Sequence, residues 1–179
     1  SSDPRAYTLG EPIVDLDTQW DLCFTVGTVE ENEKWVSLPN LQGGVDVRCG
    51  PRDGRPPTEV LLADDFLCQK SGPITEITFW GAYLGDRQLP GEHMAFNLAI
   101  YSNVPAGPDS YSRPGELLWW AYAEPASSVF YAAAEEMFFD PPAQSAIGSS
   151  YQIMRYTFQF PRDQAFTQTA DTVYWLAIH

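Results

Sequence analysis

The chain has 179 residues, 44% of them hydrophobic and 14% aromatic, so one domain with a substantial core is expected and disorder is excluded. Its 10 Lys and Arg stand against 24 Asp and Glu, a formal net charge of −14; phosphate binding needs clustered cations, so nucleic acid is excluded as a partner. No apolar run approaches the roughly 20 residues of a membrane-spanning helix, and an acidic surface suits divalent cations or neutral ligands such as glycans.

The chain opens on Ser1-Ser2-Asp3-Pro4, a start of the kind left by signal-peptide cleavage or by an arbitrary boundary. Residues 1–58 have little periodicity. They carry Asp15, Asp17 and Asp21, then Glu30, Glu31 and Glu33, then the stretch GGVDVRCGPRDGRPP at 43–57. Short strands are expected near Leu22–Val29 and Lys34–Leu38. The remainder reads as a loop-rich N-terminal extension, packing on a sandwich domain over 59–179. Cys23, Cys49 and Cys68 allow one internal disulfide. Cys49 and Cys68 flank the same strand region and are the expected pair. Three thiols, or Cys23 as an intermolecular link, are the alternatives.

From residue 58 the pattern changes. Strand-like runs recur at 59–68, 74–84, 94–103, 116–122, 151–160 and 172–178, punctuated by Gly and Pro. Asp64-Asp65 interrupts the first run, among Val60, Leu61, Leu62, Phe66 and Leu67; carboxylates there need a cation, backbone donors or solvent. In Met94–Tyr101, Met94, Phe96, Leu98 and Ile100 share a face. Ser112-Arg113-Pro114-Gly115 reads as a turn. Ser127–Phe139 reads as a helix through Ala132–Met137, or else as a long sandwich loop, with Glu135-Glu136 on a solvated edge. Tyr156, Phe158 and Phe160 share a face. Both faces of Thr172–Ile178 are apolar, which makes that strand central; because the chain stops there, a further C-terminal segment is expected. These elements predict an all-β antiparallel sandwich or jelly roll.

Several of these runs carry a resemblance. Leu62–Trp80, with LADDFLC…GPITEITFWG, resembles a sandwich module of secreted and surface proteins of planctomycete-type bacteria. FNLAIYSNVPAGPDSYSRPGELLW at 96–119 and FTQTADTVYWLAI at 166–178 are similar to the same module, so the likeness covers roughly residues 34–178. It implies secretion, a bacterial extracellular or cell-surface location and a β-sandwich, but no activity.

Two constellations offer chemistry. Asp64 and Asp65, helped by Asp86 and by Asp46, Asp53 or Glu76, are the candidate ligands of a structural calcium ion, which prefers several hard oxygens. Adjacent strand residues point oppositely, so a bulge or strand end is required. The aromatics are the second. Trp119 and Trp120 must face opposite ways, and Trp120 with Tyr122 makes a same-face pair; with Tyr83 they form a candidate ligand platform, since rings stack on the apolar faces of sugars. Tyr101 and Tyr111 extend that platform.

Catalytic signals are thin. His93 and His179 are the two histidines, and there is no H-E-x-x-H, G-x-S-x-G or phosphate-cradling loop. Carboxylate pairs such as Glu135 with Asp140 or Glu92 with Asp86 are compatible with glycoside hydrolysis without pointing to it. The expected function is therefore a non-catalytic extracellular module of surface or matrix assembly, contacting itself or other surface proteins. The alternatives are a carbohydrate-binding module with structural calcium, taking a polysaccharide, and a small glycan-active enzyme.

Overall fold

The computed structural model of the protein describes residues 23–28, 34–49, 61–87, 94–108 and 110–179, and the backbone of Tyr7–Thr8 and Glu11–Pro12. In chain order the strands are β1 (Tyr7–Thr8), β2 (Glu11–Pro12), β3 (Phe24–Gly27), β4 (Trp35–Val36), β5 (Val45–Val47), β6 (Leu62–Cys68) and β7 (Gly72–Ile74). There follow β8 (Glu76–Gly81), β9 (Phe96–Val104), β10 (Arg113–Ala123), β11 (Ser127–Asp140), β12 (Ser145–Gln159), β13 (Phe166–Gln168) and β14 (Thr172–Ile178). Two 3-10 turns, Leu84–Asp86 and Pro141–Ala143, punctuate them.

The fold is an all-β sandwich. One six-stranded sheet runs β10-β9-β14-β6-β1-β2 and the other β4-β3-β8-β12-β11-β5, while β13 and β7 form a two-stranded ribbon. The β5–β11 pair is parallel and the other described pairs are antiparallel.

Side-chain alternation builds the core. Phe66 and Cys68 of β6, Leu98 and Ile100 of β9, and Tyr174, Leu176 and Ile178 of β14 face across the sandwich. They meet Phe24 and Val26 of β3, Ile77 and Phe79 of β8, and Tyr156 and Phe158 of β12. Phe79 is a hub, with ring centroids 5.1 Å from Phe96, 5.2 Å from Tyr156 and 5.7 Å from Phe158. Each such fully buried side chain contributes about 1.5–3 kcal/mol of transfer free energy. Strand β14 lies between β9 and β6, and both of its faces are buried, which accounts for their apolar character. Its other face carries Trp175 and Ala177, which pack with Ala63 in a second buried cluster.

Three expectations need correction. The division at residue 58 does not follow the architecture, because β3, β4 and β5 are built into the second sheet and Phe24 and Val26 are fully buried in the core. Ser127–Phe139 is neither helix nor loop. It belongs to the 14-residue strand β11, paired with β12 from Ser127↔Thr157 to Asp140↔Ser145. Helix preference in Ala132–Met137 amounts to a few tenths of a kcal/mol per residue, and tertiary pairing overrides it. Finally, Arg113-Pro114-Gly115 is the start of β10, with Arg113 opposite Val104 and Pro114 opposite Asn103. Proline is tolerated there because β10 is an edge strand.

Candidate functional site

Strand β10 forms one border of the first sheet. Among the described strands it pairs only with β9. Trp120 lies opposite Ala99 and Tyr122 opposite Asn97, on the sheet face turned away from the core. They are 63% and 68% exposed. The register slips on either side of Leu117, which lies opposite Tyr101. Such a bulge twists and re-aims an edge, and Leu117 and Leu118 are both exposed. The result is an apolar, aromatic strip along an open strand edge.

Trp119 and Tyr83 belong elsewhere. Trp119 lies opposite Ile100 and packs against the core cluster. Its ring meets Phe160 edge-on with centroids 5.1 Å apart, and its indole N–H donates to Gln164 O at 2.8 Å. Tyr83 precedes the 3-10 turn and its hydroxyl donates to Met94 Sδ, which Tyr156 OH also approaches at 4.0 Å. Met94 packs on the core, so Tyr83 is not part of the Trp120–Tyr122 strip.

The three expected calcium ligands are not brought together. Asp64 shares the inward face of β6 with Phe66 and Cys68, whereas Asp65 lies on the Ala63 face opposite Trp175. Both are buried, and Asp64 Oδ1 accepts the Asp65 N–H at 2.8 Å. Asp86 serves the other sheet: its Oδ1 accepts the backbone N–H groups of Tyr151 and Gln152 on β12, each at 2.8 Å. Glu76 accepts from Gln159 Nε2 at 3.1 Å, and Asp53 lies outside the described residues. Among the described residues no group of three or more His, Cys, Asp or Glu side chains is arranged to hold a metal ion.

Cys49 and Cys68 are not bridged. The Cys49 thiol donates to Ile178 O at 3.0 Å, and Ile178 pairs with Leu62 at one end of the β6–β14 ladder. Cys68 pairs with Thr172 at the other end. Thr172 and Ile178 are separated by roughly 20 Å at strand rise, and a disulfide needs Cα atoms within about 7 Å. Burial pushes the Cys68 thiol up to about 11.

A second cluster is not evident from sequence. Asp46 on β5, Glu136 on β11 and Ser150 on β12 converge on one face of the second sheet. Ser150 Oγ–H donates to Asp46 Oδ2 at 2.5 Å, and Asp46 and Glu136 are hydrogen-bonded to each other. Burial, then the charge and hydrogen bond of Asp46, push Glu136 up to about 7. Burial likewise raises Asp46, against the lowering effect of the Ser150 and Glu136 hydrogen bonds, while the charge of Asp86 adds to the rise. Both carboxyls are thus held above their ordinary range, and their mutual hydrogen bond requires one proton shared between them. Reading Glu135-Glu136 as a solvated edge fails for Glu136, which is buried. A strand reading of Ser127–Phe139 would have placed Glu136 on the face of Phe138.

Of the acid pairs compatible with hydrolysis, Glu135 is exposed and accepts from Tyr151 OH at 3.2 Å, while Asp140 is buried beside Arg48. Glu92 and His93 lie outside the described residues.

A family model described as Domain of unknown function (DUF7901) matches residues 33–179. No curated protein and no solved structure matches the chain.

Proposed function

We propose, starting from the fact that the chain belongs to the DUF7901 family, that it is a non-catalytic β-sandwich module of bacterial surface or matrix structure, acting through protein–protein contact at the β10 edge. The observation that carries this reading is the border strand itself. It is 11 residues long, it pairs on one side only among the described strands, and it displays Leu117, Leu118, Trp120 and Tyr122. Open edges recruit further strands because their N–H and C=O groups seek partners, and exposed aromatics add specificity. The secreted, planctomycete-type setting comes from the resemblance of residues 34–178 and forms part of the proposal.

Light scattering over a concentration series tests it. Wild-type particles should grow with concentration, and Leu117→Lys, which places a charge on the exposed strip, should keep the chain monomeric. A wild-type monomer at every concentration would overturn self-association.

A second reading has its own observation. Trp120 and Tyr122 stand about 7 Å apart along one strand face, with the exposed Asn97 opposite Tyr122. Two rings beside an amide suit a neutral saccharide. Retardation in a polysaccharide gel, lost with Trp120→Ala, would favour glycan binding; equal mobility of both proteins would remove it.

A further inference from the structure

The second sheet has its own weakly held border. Strand β5 has three residues, and among the described strands it pairs only with β11, in parallel, through Val45↔Met137, Asp46↔Phe138 and Val47↔Phe139. Parallel pairing is slightly weaker per residue than antiparallel. Val45 and Val47 pack on Phe139 on one face. On the other face, which also carries Phe138, Asp46 meets Glu136 and Ser150.

Two carboxyl groups in hydrogen-bond contact need a proton between them. With it, one carboxyl donates to the other and binds β5 to β11. Without it, two anions face each other in a partly buried site, where like charges repel more strongly than in water. The surroundings offer little relief. The Asp86 carboxylate is engaged with β12 and adds negative potential. Arg48, just past the end of β5, lies 3.9 Å from Asp140. Glu135 is turned to the opposite side, toward Tyr151. A Cβ on Gly44 would overlap Glu136 Oε1 and come within 2.8 Å of Asn40 O, so the glycine just before β5 leaves room for the Glu136 carboxyl.

We infer that the proton shared by Asp46 and Glu136 latches β5 onto the β11 border, and that rising pH opens the latch and frees that border of the second sheet. The pair gives up that proton above the ordinary carboxylate range, because burial and the mutual charge hold it back. The latch is therefore closed in mild acid and weakens toward pH 8. It is independent of the β10 reading, which concerns the other sheet.

Hydrogen exchange by mass spectrometry on the full chain, in chelator-containing buffer and corrected for intrinsic rates, tests this. Peptides covering residues 44–49 and 136–140 should lose protection about tenfold or more from pH 5 to pH 8, while the β9–β14 peptides stay unchanged. Glu136→Gln keeps a donor to Asp46 that does not titrate, so its β5 protection should be flat with pH. Asp46→Asn, which leaves one titrating group and no second charge, should also flatten the profile and serves if Glu136→Gln does not fold. Unchanged β5 protection in the wild type across this range would overturn the latch, as would a wild-type slope in the folded variants.

Discussion

Trp119 and Trp120 are adjacent in the chain and point to opposite faces of β10. Trp119 is anchored by Phe160 and by Gln164 O, whereas Trp120 is largely exposed. The pleat imposes that opposition, and it separates the stability of the module from its contact surface. Trp119→Ala should cost about 2–3 kcal/mol, less than the truncation of a fully buried aromatic because the site is half-buried. Trp120→Ala should stay within about 0.5 kcal/mol of the wild type. Urea unfolding of the two variants distinguishes them, and equal costs would contradict this assignment of faces.

Asp86 continues a ladder that runs out. Strand β8 pairs with β12 from Glu76↔Gln159 to Gly81↔Met154 and then ends. Beyond Ile153, the β12 amides of Gln152 and Tyr151 find Asp86 Oδ1 instead. Asp86→Ala should therefore cost about 1–3 kcal/mol, and Asp86→Asn clearly less because its amide oxygen still accepts. Urea midpoints would show the order, and a harmless alanine would mean that water replaces the carboxylate fully.

The turn before Asp86 has a steric requirement as well. Gly148 on β12 has φ +154°, and a Cβ there would come within 2.8 Å of Leu84 Cδ1. Gly148→Ala should lower the unfolding free energy by about 1–3 kcal/mol. Combining it with Leu84→Ala should recover part of the loss, though the backbone strain remains. A double variant no better than the single one would assign the whole cost to the backbone.

Stability should fall between mild acid and neutral pH. The folded chain keeps the Glu136 proton up to about pH 7, while the unfolded chain releases it near the ordinary value of 4.5. The stability this supplies is complete below about pH 4.5 and is lost as pH rises through 7. Glu136→Gln should shrink the difference between pH 5 and pH 8 by on the order of 1 kcal/mol, after allowing for solvent screening. Urea unfolding at the two pH values reads it directly; an unchanged difference would assign the pH dependence to other groups.

Cys68 should behave as a core residue. Its thiol is buried and pushed up to about 11 by that burial, partly offset by the Lys34 charge. At pH 8 it should resist a thiol reagent in the native protein and react after unfolding. Rapid native labelling of Cys68, located by peptide mapping, would contradict the buried position.

Much of the fold was legible because strand alternation is a local property. The faces of Met94–Ile100, the opposed Trp119 and Trp120, and the two apolar faces of Thr172–Ile178 follow from a period of two, whatever the neighbouring strands are. The same locality misled at Ser127–Phe139, where helix-favouring alanines and glutamates lie in a strand selected by its partner β12. It also misled at Arg113–Gly115, where turn-favouring residues begin an edge strand.

The sequence by itself therefore determined the class of fold, the central strand Thr172–Ile178 and the opposed faces of two adjacent tryptophans. Only the tertiary structure decided that Cys49 and Cys68 sit at opposite ends of a ladder, that Asp64, Asp65 and Asp86 are dispersed, and that Asp46 meets Glu136. Those outcomes depend on sheet order and register, which residues distant in the chain settle together by filling one shared core.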